Sequence, residues 1–411
     1  MRLRGRLGAL EERPFRLLWI GRTTSSFGDA ITNVAFAFAI LEVSSATGLG
    51  VVFAIATISR TAFTLIGGVW ADRVSRRLVM LVADVLRGGV QGALGVLWIT
   101  DAIEVWHFGV AAAVVGGASA FFGPASTGFI PDTVGRARLQ EANALISLSD
   151  GAAHLAGPAL AGVLIAAFGL GFGLLFDAAT FGVSALALAL IRVREHEETR
   201  ERRRFVHELA EGWREVRARA WLQVGFASFA LGNLGIAVFF VLGPQVFLEE
   251  LGGARDWGIA MSIAAAGGIA GSVAALRLRP RHPLRVSFPI VMGAVLATLS
   301  LVPPLPAVLV GLAAASFFFG SAFGNALWDT VVQQRIPRRV ISRVNSYDWL
   351  ISLVFMPLGY ALAGPLADVI GRDPTLLAAA AAGTIAYLGP LLSREVRSMR
   401  RDDDGVESVS V

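Results

Sequence analysis

Long apolar runs separated by short polar connections dominate this chain. Twelve such runs can be drawn, at residues 15–41, 48–70, 78–100, 106–130, 142–168, 171–191, 221–247, 256–276, 285–303, 307–331, 343–367 and 374–393. Apolar runs of this length are typical of transmembrane helices, because about 20 helical residues cross the hydrocarbon core of a bilayer. The pattern therefore predicts an all-α polytopic membrane protein with twelve transmembrane helices.

Arginines occur in alternate connections between these runs. They are frequent after the second, fourth, sixth, eighth and tenth runs, whereas the opposite connections contain only Arg255 and Arg372. Cytoplasmic loops of membrane proteins carry an excess of basic residues. The asymmetry predicts a bacterial-type inner (plasma) membrane protein with both termini and the central connection in the cytoplasm.

Composition narrows the possible chemistry. Of the residues, 55% are hydrophobic and 16% charged, there is no cysteine, and all 36 basic residues are arginine. Without lysine the chain has neither a P-loop nor a Schiff-base residue. Its five histidines are scattered, so we expect no metal site, no cofactor and no enzymatic activity. The net charge of +5 comes from loop arginines, and we expect no nucleic-acid partner.

The two halves of the chain resemble each other at an offset of 202 residues. Asn143 aligns with Asn345, Gly157 with Gly359, and Gly162 with Gly364. Six-span parallel repeats predict two pseudo-symmetric six-helix bundles. The expected organisation is an N-terminal bundle at 1–192, a cytoplasmic linker at 193–220, a C-terminal bundle at 221–395 and a cytoplasmic tail at 396–411.

Two short motifs identify a family resemblance. The stretch "GGVWADRVSRRLVM" between the second and third runs contains Gly68, Asp72, Arg73, Arg76 and Arg77, with Ser75 where a glycine is usual. The fifth run contains "GPALAG", which places Gly157, Pro158 and Gly162, with alanine at 161 replacing a glycine. Over nearly its whole length the chain resembles the major facilitator superfamily, and within it the branch of drug and macrolide exporters and the enterobactin exporter.

The resemblance implies a role for the charged turn at 68–77. In this family the aspartate, here Asp72, meets the start of the eleventh span, here near 344–348, where a helix N-terminus favours an anion. An arginine of the motif, here Arg76, meets a nearby acid, for which Asp132 is the candidate. Together these contacts latch the two halves in the outward-open state. The alternative is that the arginines only set topology.

Ionisable residues inside the apolar runs need a reason, because a charge in the bilayer costs at least about 2.5–3.5 kcal/mol. Asp29 and Arg60 lie near the middle of consecutive runs and form either a proton-responsive pair or a static ion pair. Asp150 and His154 are one turn apart and form either a proton relay or a polar helix contact.

Asp84 and Arg87 are three residues apart on the third run, so they share one helix face, and we expect a structural ion pair. Arg22 lies at a similar depth and is a candidate to join it. Asn233, Asn325 and Tyr347 are candidates for a cavity in the second half.

Taken with the resemblance, these features predict a secondary transporter that works by alternating access. The preferred function is proton-coupled efflux of an amphipathic small molecule, such as a drug-like compound or secondary metabolite, by a monomer. A metabolite uniporter or importer is the first alternative. The second is a non-transporting membrane receptor or scaffold on the same fold.

Overall fold

The computed structural model describes residues 8–70, 75–192, 213–337 and 340–401, with the side chains at 65–70, 136, 341–343, 345–346 and 348–353 excepted. The first half contains six long helices. They are α1 (Arg13–Val43), α2 (Ala46–Trp70), α3 (Arg76–Ile99), α4 (Val105–Thr133), α5 (Leu139–Phe168) and α6 (Leu170–Leu190). Most of the linker, residues 193–212, lies outside the described part.

The second half repeats this order. Its helices are α7 (Ala220–Glu250), α8 (Gly253–Arg277), the interrupted α9 (Pro283–Ser287, Pro289–Met292 and Gly293–Leu299), α10 (Ala307–Arg335), α11 (Ile341–Ile370) and α12 (Arg372–Leu388). Every predicted apolar run coincides with one of these helices, which confirms the all-α membrane fold. Ten helices of the described part are long and apolar enough to cross a bilayer. The apolar stretches 283–299 and 354–370 are shorter, so the count of twelve spans stays a prediction.

Matched glycines end the fifth helix of each half. Gly169 follows α5 with a φ of +82°, and Gly371 follows α11 with a φ of +93°. This left-handed conformation suits glycine, which has no Cβ to clash with the backbone, and it stops the helix. The two positions are also 202 residues apart, so the repeat seen in the sequence recurs in the backbone.

The chain divides into two compact units. The first contains Met1–Arg200, Val241–Ser262 and Tyr360–Pro365, and the second contains Glu201–Phe240, Ile263–Gly359 and Leu366–Val411. In the first unit, α1 packs against α4, α5 and α6, while α3 packs against α4 and α6. In the second, the last part of α9 packs against α10 and α12. The domain boundaries expected at 192 and 221 stay predictions.

The segment before α1 is fastened to the connection between α4 and α5. Arg138 donates hydrogen bonds to the carbonyl of Gly8 at 2.8 Å and to Glu11 at 3.0 Å. In return, Glu141 accepts a hydrogen bond from the backbone N–H of Ala9 at 3.0 Å. Ala9 is fully buried in an apolar cluster that also contains Phe15. The chain entering α1 is therefore held by charge-assisted bonds and by apolar burial.

The predicted orientation is testable because the chain has no cysteine, so a single introduced thiol gives labelling without background. Ala102 and Ala137 are exposed and lie in the connections after α3 and α4. We expect a membrane-impermeant maleimide to label Ala102→Cys in intact cells, and Ala137→Cys only after permeabilisation. The reverse pattern would invert the predicted topology.

Candidate functional site

The turn before α3 is tied to α4 by Arg76. Its guanidinium donates to the carbonyl of Gly128 at 2.7 Å and lies 3.7 Å from the carboxylate of Asp132. A Cβ on Gly128 would lie 2.9 Å from Arg76 Nε, so the glycine leaves room for the arginine. The contact expected between Arg76 and Asp132 is present in the structure. Asp72 and Arg73 lie outside the described residues, as do the surroundings of Gly68, so the latch itself stays a prediction.

Arg77 closes the end of α6. It donates to the carbonyls of Leu188 and Ala189 at 2.7 and 2.6 Å. The last carbonyls of a helix have no partner within the helix, and the negative end of the helix dipole attracts a cation. Arg76 and Arg77 thus bind two different helices, a structural role beyond the topology signal that their sequence carries.

Asp150 pairs with Arg22 across α1 and α5. The two side chains form an ion pair at 3.0 Å, and Ser26 donates to the other carboxylate oxygen at 2.8 Å. Arg22 also donates to Ser126 of α4 at 2.7 Å. The idea that Arg22 joins the Asp84 pair is therefore wrong. His154 is exposed, and the partner of Asp150 is Arg22. A role for His154 as a relay stays a prediction.

A buried ion pair lies between α3 and α6. Asp84 and Arg87 form the ion pair expected from their spacing, and the two side chains are 0% and 4% exposed. The guanidinium carbon of Arg87 lies 4.4 Å from the ring centroids of both Phe122 and Phe181. Cation–π attraction to these two rings compensates part of the desolvation cost of this charge.

Asp177 of α6 extends this buried polar region, and the sequence reasoning missed it. Its side chain is 0% exposed, and it accepts hydrogen bonds from Gln91 at 3.1 Å and from Thr180 at 3.3 Å. A Cβ on Gly28 would lie 2.4 Å from Asp177 Oδ1, so α1 and α6 approach closely here. The signal that could have found it is a lone carboxylate in an otherwise apolar run.

Asp29 follows Gly28 directly and so lies next to this buried polar region. We call the five residues Asp29, Asp84, Arg87, Gln91 and Asp177 the acid cluster. Asp29 and Asp177 are close enough to interact electrostatically, and Asp84 and Arg87 lie in the same region. Among the ion pairs between described residues, none joins Asp29 to Arg60. Asp29 is half-buried and Arg60 is exposed.

The glycine/proline motif of α5 gives close helix contacts within the first unit. A Cβ on Gly157 would lie 2.3 Å from the Cβ of Ala30 in α1. A Cβ on Gly162 would lie 2.8 Å from Arg255 Cα, at the start of α8. The carbonyl of Pro158 lies where a Cβ on Gly258 would be, at 2.1 Å. Small residues at these positions let the helix backbones approach, as in many membrane proteins.

The matched glycines of α11 make equivalent contacts. In the second unit, Gly359 approaches Leu234 and Ala237 of α7. In the first unit, a Cβ on Gly364 would lie 2.3 Å from Thr47 Cα, at the start of α2. The fifth helix of each repeat thus uses its first glycine against the first helix of its own half. It uses its second glycine against the second helix of the other half.

The second unit contains a cavity of about 380 Å³. Its walls come from α7, α9, α10 and α12, and its lining includes Phe229, Asn233, Ser287, Phe288, Phe317, Ser321, Asn325, Trp328, Asp329 and Tyr387. Two predicted cavity residues, Asn233 and Asn325, therefore line it. Tyr347 is not among the lining residues and instead packs against Trp213, with ring centroids 5.4 Å apart. Asp329 was not predicted from the sequence.

Comparison with known protein families assigns this chain to one of them. The family model described as Major Facilitator Superfamily matches residues 18–348. The chain belongs to this superfamily. Membership makes it a multi-pass membrane transporter that handles small molecules, and it confirms the resemblance read from the motifs at 68–77 and 157–162.

Two relatives within the Major Facilitator Superfamily are named as efflux proteins. The chain is 29% identical to the multidrug efflux pump Tap of Mycobacterium tuberculosis (strain ATCC 25618 / H37Rv), over 89% of this chain and 90% of that one. It is 22% identical to macrolide efflux protein A of Streptococcus pyogenes, over 94% and 97%. The branch named in the sequence analysis is thereby confirmed.

Solved structures share the fold. The nucleoside transporter NupG has a TM-score of 0.74 at 13% identity, over 92% of this chain and 98% of that chain. A bacterial homologue of the iron transporter ferroportin, in an inward-facing state, has a TM-score of 0.71 at 16% identity, over 94% and 99%. At these identities the likeness describes the architecture alone.

The close contact at Gly162 can be tested by adding one methyl group. In Gly162→Ala the Cβ would meet the backbone of Arg255, and we expect a lower apparent Tm in detergent, since overpacking costs about 1–3 kcal/mol. Gly151→Ala is the matched control on the same helix, because no atom lies within 4 Å of its added Cβ. Its Tm should be unchanged or raised, as alanine favours a helix. Equal effects of the two substitutions would contradict the contact.

Proposed function

We propose that this chain exports amphipathic small molecules in exchange for protons, by alternating access, as a monomer with both termini in the cytoplasm. Export is supported by the relatives, which are named as a multidrug efflux pump and a macrolide efflux protein. Proton exchange is carried by one observation, the acid cluster between α1, α3 and α6, which contains more carboxylates than cations.

The charge balance of this cluster requires a bound proton. Asp84 is neutralised by Arg87, and outside the cluster Asp150 is neutralised by Arg22. Asp29 and Asp177 then remain, and in the described part neither has an ion-pair partner. Even if the more distant Arg60 is assigned to Asp29, Asp177 lacks a cation. Since an unpaired buried charge is expensive in the bilayer, at least one of the two carboxyl groups holds a proton.

Two features equip this pair to exchange that proton. Asp177 is fully buried, whereas Asp29 is half-buried, so we assign to Asp29 the exchange of the proton with water. The side chain of Gln91 can form a hydrogen bond with Asp177 whether Asp177 is a carboxylate or a protonated carboxyl group, because an amide has donors at one end and an acceptor at the other. In the structure its Nε2 faces Asp177, while its Oε1 is buried without a hydrogen-bond partner in the described part. Rotation of the amide would offer that oxygen to a protonated Asp177.

Alternating access supplies the change that a proton exchanger needs. If Asp29 is exposed to opposite sides of the membrane in the two states, its proton can be taken up on one side and released on the other. A substrate that favours one state then shifts proton occupancy, and a proton gradient shifts substrate binding, because the coupling is reciprocal.

If Asp29 and Asp177 couple substrate export to protons, their substitution should abolish proton-driven substrate flux in proteoliposomes. With a pH gradient imposed across the membrane, wild-type protein should drive uphill flux of a drug-like cation such as ethidium. Asp29→Asn and Asp177→Asn should abolish the uphill component, because an amide cannot carry the proton. Asp101→Asn is the control: Asp101 is exposed, lies between α3 and α4, and has a φ of +54°, which asparagine also tolerates.

The other outcomes separate the alternatives. Downhill flux that ignores the pH gradient in the wild type would establish a uniporter. Absence of any flux, with ligand binding retained, would favour a receptor or scaffold. Uphill flux that survives in both variants would move the proton site away from Asp29 and Asp177.

A stability comparison separates the two buried acids of the cluster. Asparagine resembles a protonated carboxyl group in shape and charge, so Asp177→Asn should leave the apparent Tm near that of wild type. Asp84→Asn leaves Arg87 buried without its counter-ion, a loss of about 3–5 kcal/mol for a buried pair. We expect a much lower Tm for Asp84→Asn, measured in detergent by tryptophan fluorescence. The opposite ranking would mean that Asp177 is held as a carboxylate.

A further inference from the structure

One side chain in the cavity of the second unit has a charge that no described neighbour balances. Among the described residues that line this cavity, Asp329 is the sole carboxylate, and none is an arginine or a histidine. The chain also contains no lysine. In the described part, Asp329 has no hydrogen bond or ion pair. The described lining therefore offers one carboxylate and no cation to balance it.

Asp329 ends a stripe of cavity residues along α10. Phe317, Ser321, Asn325 and Asp329 follow one another at intervals of four residues, so they lie along one face of the helix. The stripe runs from an aromatic ring through a hydroxyl and an amide to a carboxylate. A ligand lying along it meets apolar surface at one end and a negative charge at the other.

Another wall of the cavity is aromatic and firmly packed. The ring of Trp328 lies 4.8 Å from that of Phe229, in an edge-to-face arrangement, and 6.1 Å from that of Phe288. Trp221 also packs against Trp328, at 5.3 Å, and Gly225 makes room for the indole ring. Because its neighbours fix its orientation and leave it only 2% exposed, Trp328 forms the rigid base of the cavity, and the half-buried rings of Phe229 and Phe317 supply aromatic surface to a ligand. Aromatic faces attract cations.

We propose that this cavity binds the cationic part of an amphipathic organic ligand, with Asp329 as its counter-ion and the rings around Trp328 as its apolar support. The proposal rests on the proposed function, since the ligand would be the exported substrate. A volume of about 380 Å³ is at the lower end of the range for small-molecule pockets, enough for the charged head of a larger compound. The amides of Asn233 and Asn325 accept varied polar groups, because each has both donors and acceptors.

The same features disfavour other ligand classes. An anion would meet the carboxylate of Asp329 and find no cation among the described lining residues. A small, strongly hydrated cation would gain little from the rings of Phe229, Phe288 and Trp328. A bulky organic cation is weakly hydrated, so it loses little on leaving water and gains from both the charge and the aromatic wall.

Binding of two probes to purified full-length protein in detergent tests the proposal without transport. Tetraphenylphosphonium is a permanent organic cation, and triphenylphosphine oxide is a neutral compound of related shape. We expect Asp329→Asn to weaken tetraphenylphosphonium binding by about tenfold or more, as the loss of one close charge pair implies, and to leave the neutral probe unchanged. Asp373→Asn is the control: Asp373 is exposed at the start of α12 and does not line the cavity.

A second variant covers the case in which Asp329→Asn fails to fold. Asn325→Asp adds a carboxylate one helical turn away on the same stripe, and it should tighten binding of the phosphonium and not of the neutral probe. The proposal is overturned if wild-type protein binds neither probe, if Asp329→Asn binds the cation as wild type does, or if both probes weaken equally. Loss of proton-driven flux with charge-dependent binding intact would sink the proposed function and leave this site standing.

Discussion

The cost of placing a charge in hydrocarbon governs the arrangement of this protein. Arginine supplies the cation of the ion pairs in the spans, and three of the described arginines show how such a charge is satisfied. Arg22 pairs with Asp150, and Arg87 pairs with Asp84 beside two aromatic rings. Arg77 uses the free carbonyls at the end of α6. Once these cations are assigned, the unmatched carboxylates stand out, because they are the groups whose charge has to be balanced from outside.

The internal repeat gives the fold its close contacts, whereas departures from the repeat give it chemistry. Gly162 and Gly364 occupy equivalent positions and both allow a backbone of the opposite half to approach. The second half differs from the first in its buried polar groups: the described lining of the second unit's cavity has one carboxylate, Asp329. The internal repeat thus accounts for the helix contacts that the two halves have in common, and each half adds its own polar residues to them. In our proposals one half holds a proton and the other attracts an organic cation.

The sequence predicted the helices well because a bilayer makes hydropathy a strong signal. The first run was placed at 15–41 and the helix spans Arg13–Val43. Pairing was harder. Asp84 and Arg87 were found because they share a helix face, but the partner of Asp150 is Arg22, 128 residues away. Spacing along the chain carries no information on how helices are rotated against each other. Asp177 and Asp329 are each a lone carboxylate in an apolar run, which the sequence displays, but the groups that surround each of them became visible only in the structure.

The shortness of α9 links this protein to the thickness of its membrane. The stretch Pro283–Leu299 is interrupted by a 3₁₀ turn, and its 17 residues span about 25 Å at about 1.5 Å per residue, less than the roughly 30 Å of a typical hydrocarbon core. A short span is accommodated by local thinning of the bilayer or by snorkelling of its flanking residues. Ser287 and Phe288 of this helix line the cavity. A bilayer thicker than this helix would therefore place elastic strain on residues that line the cavity.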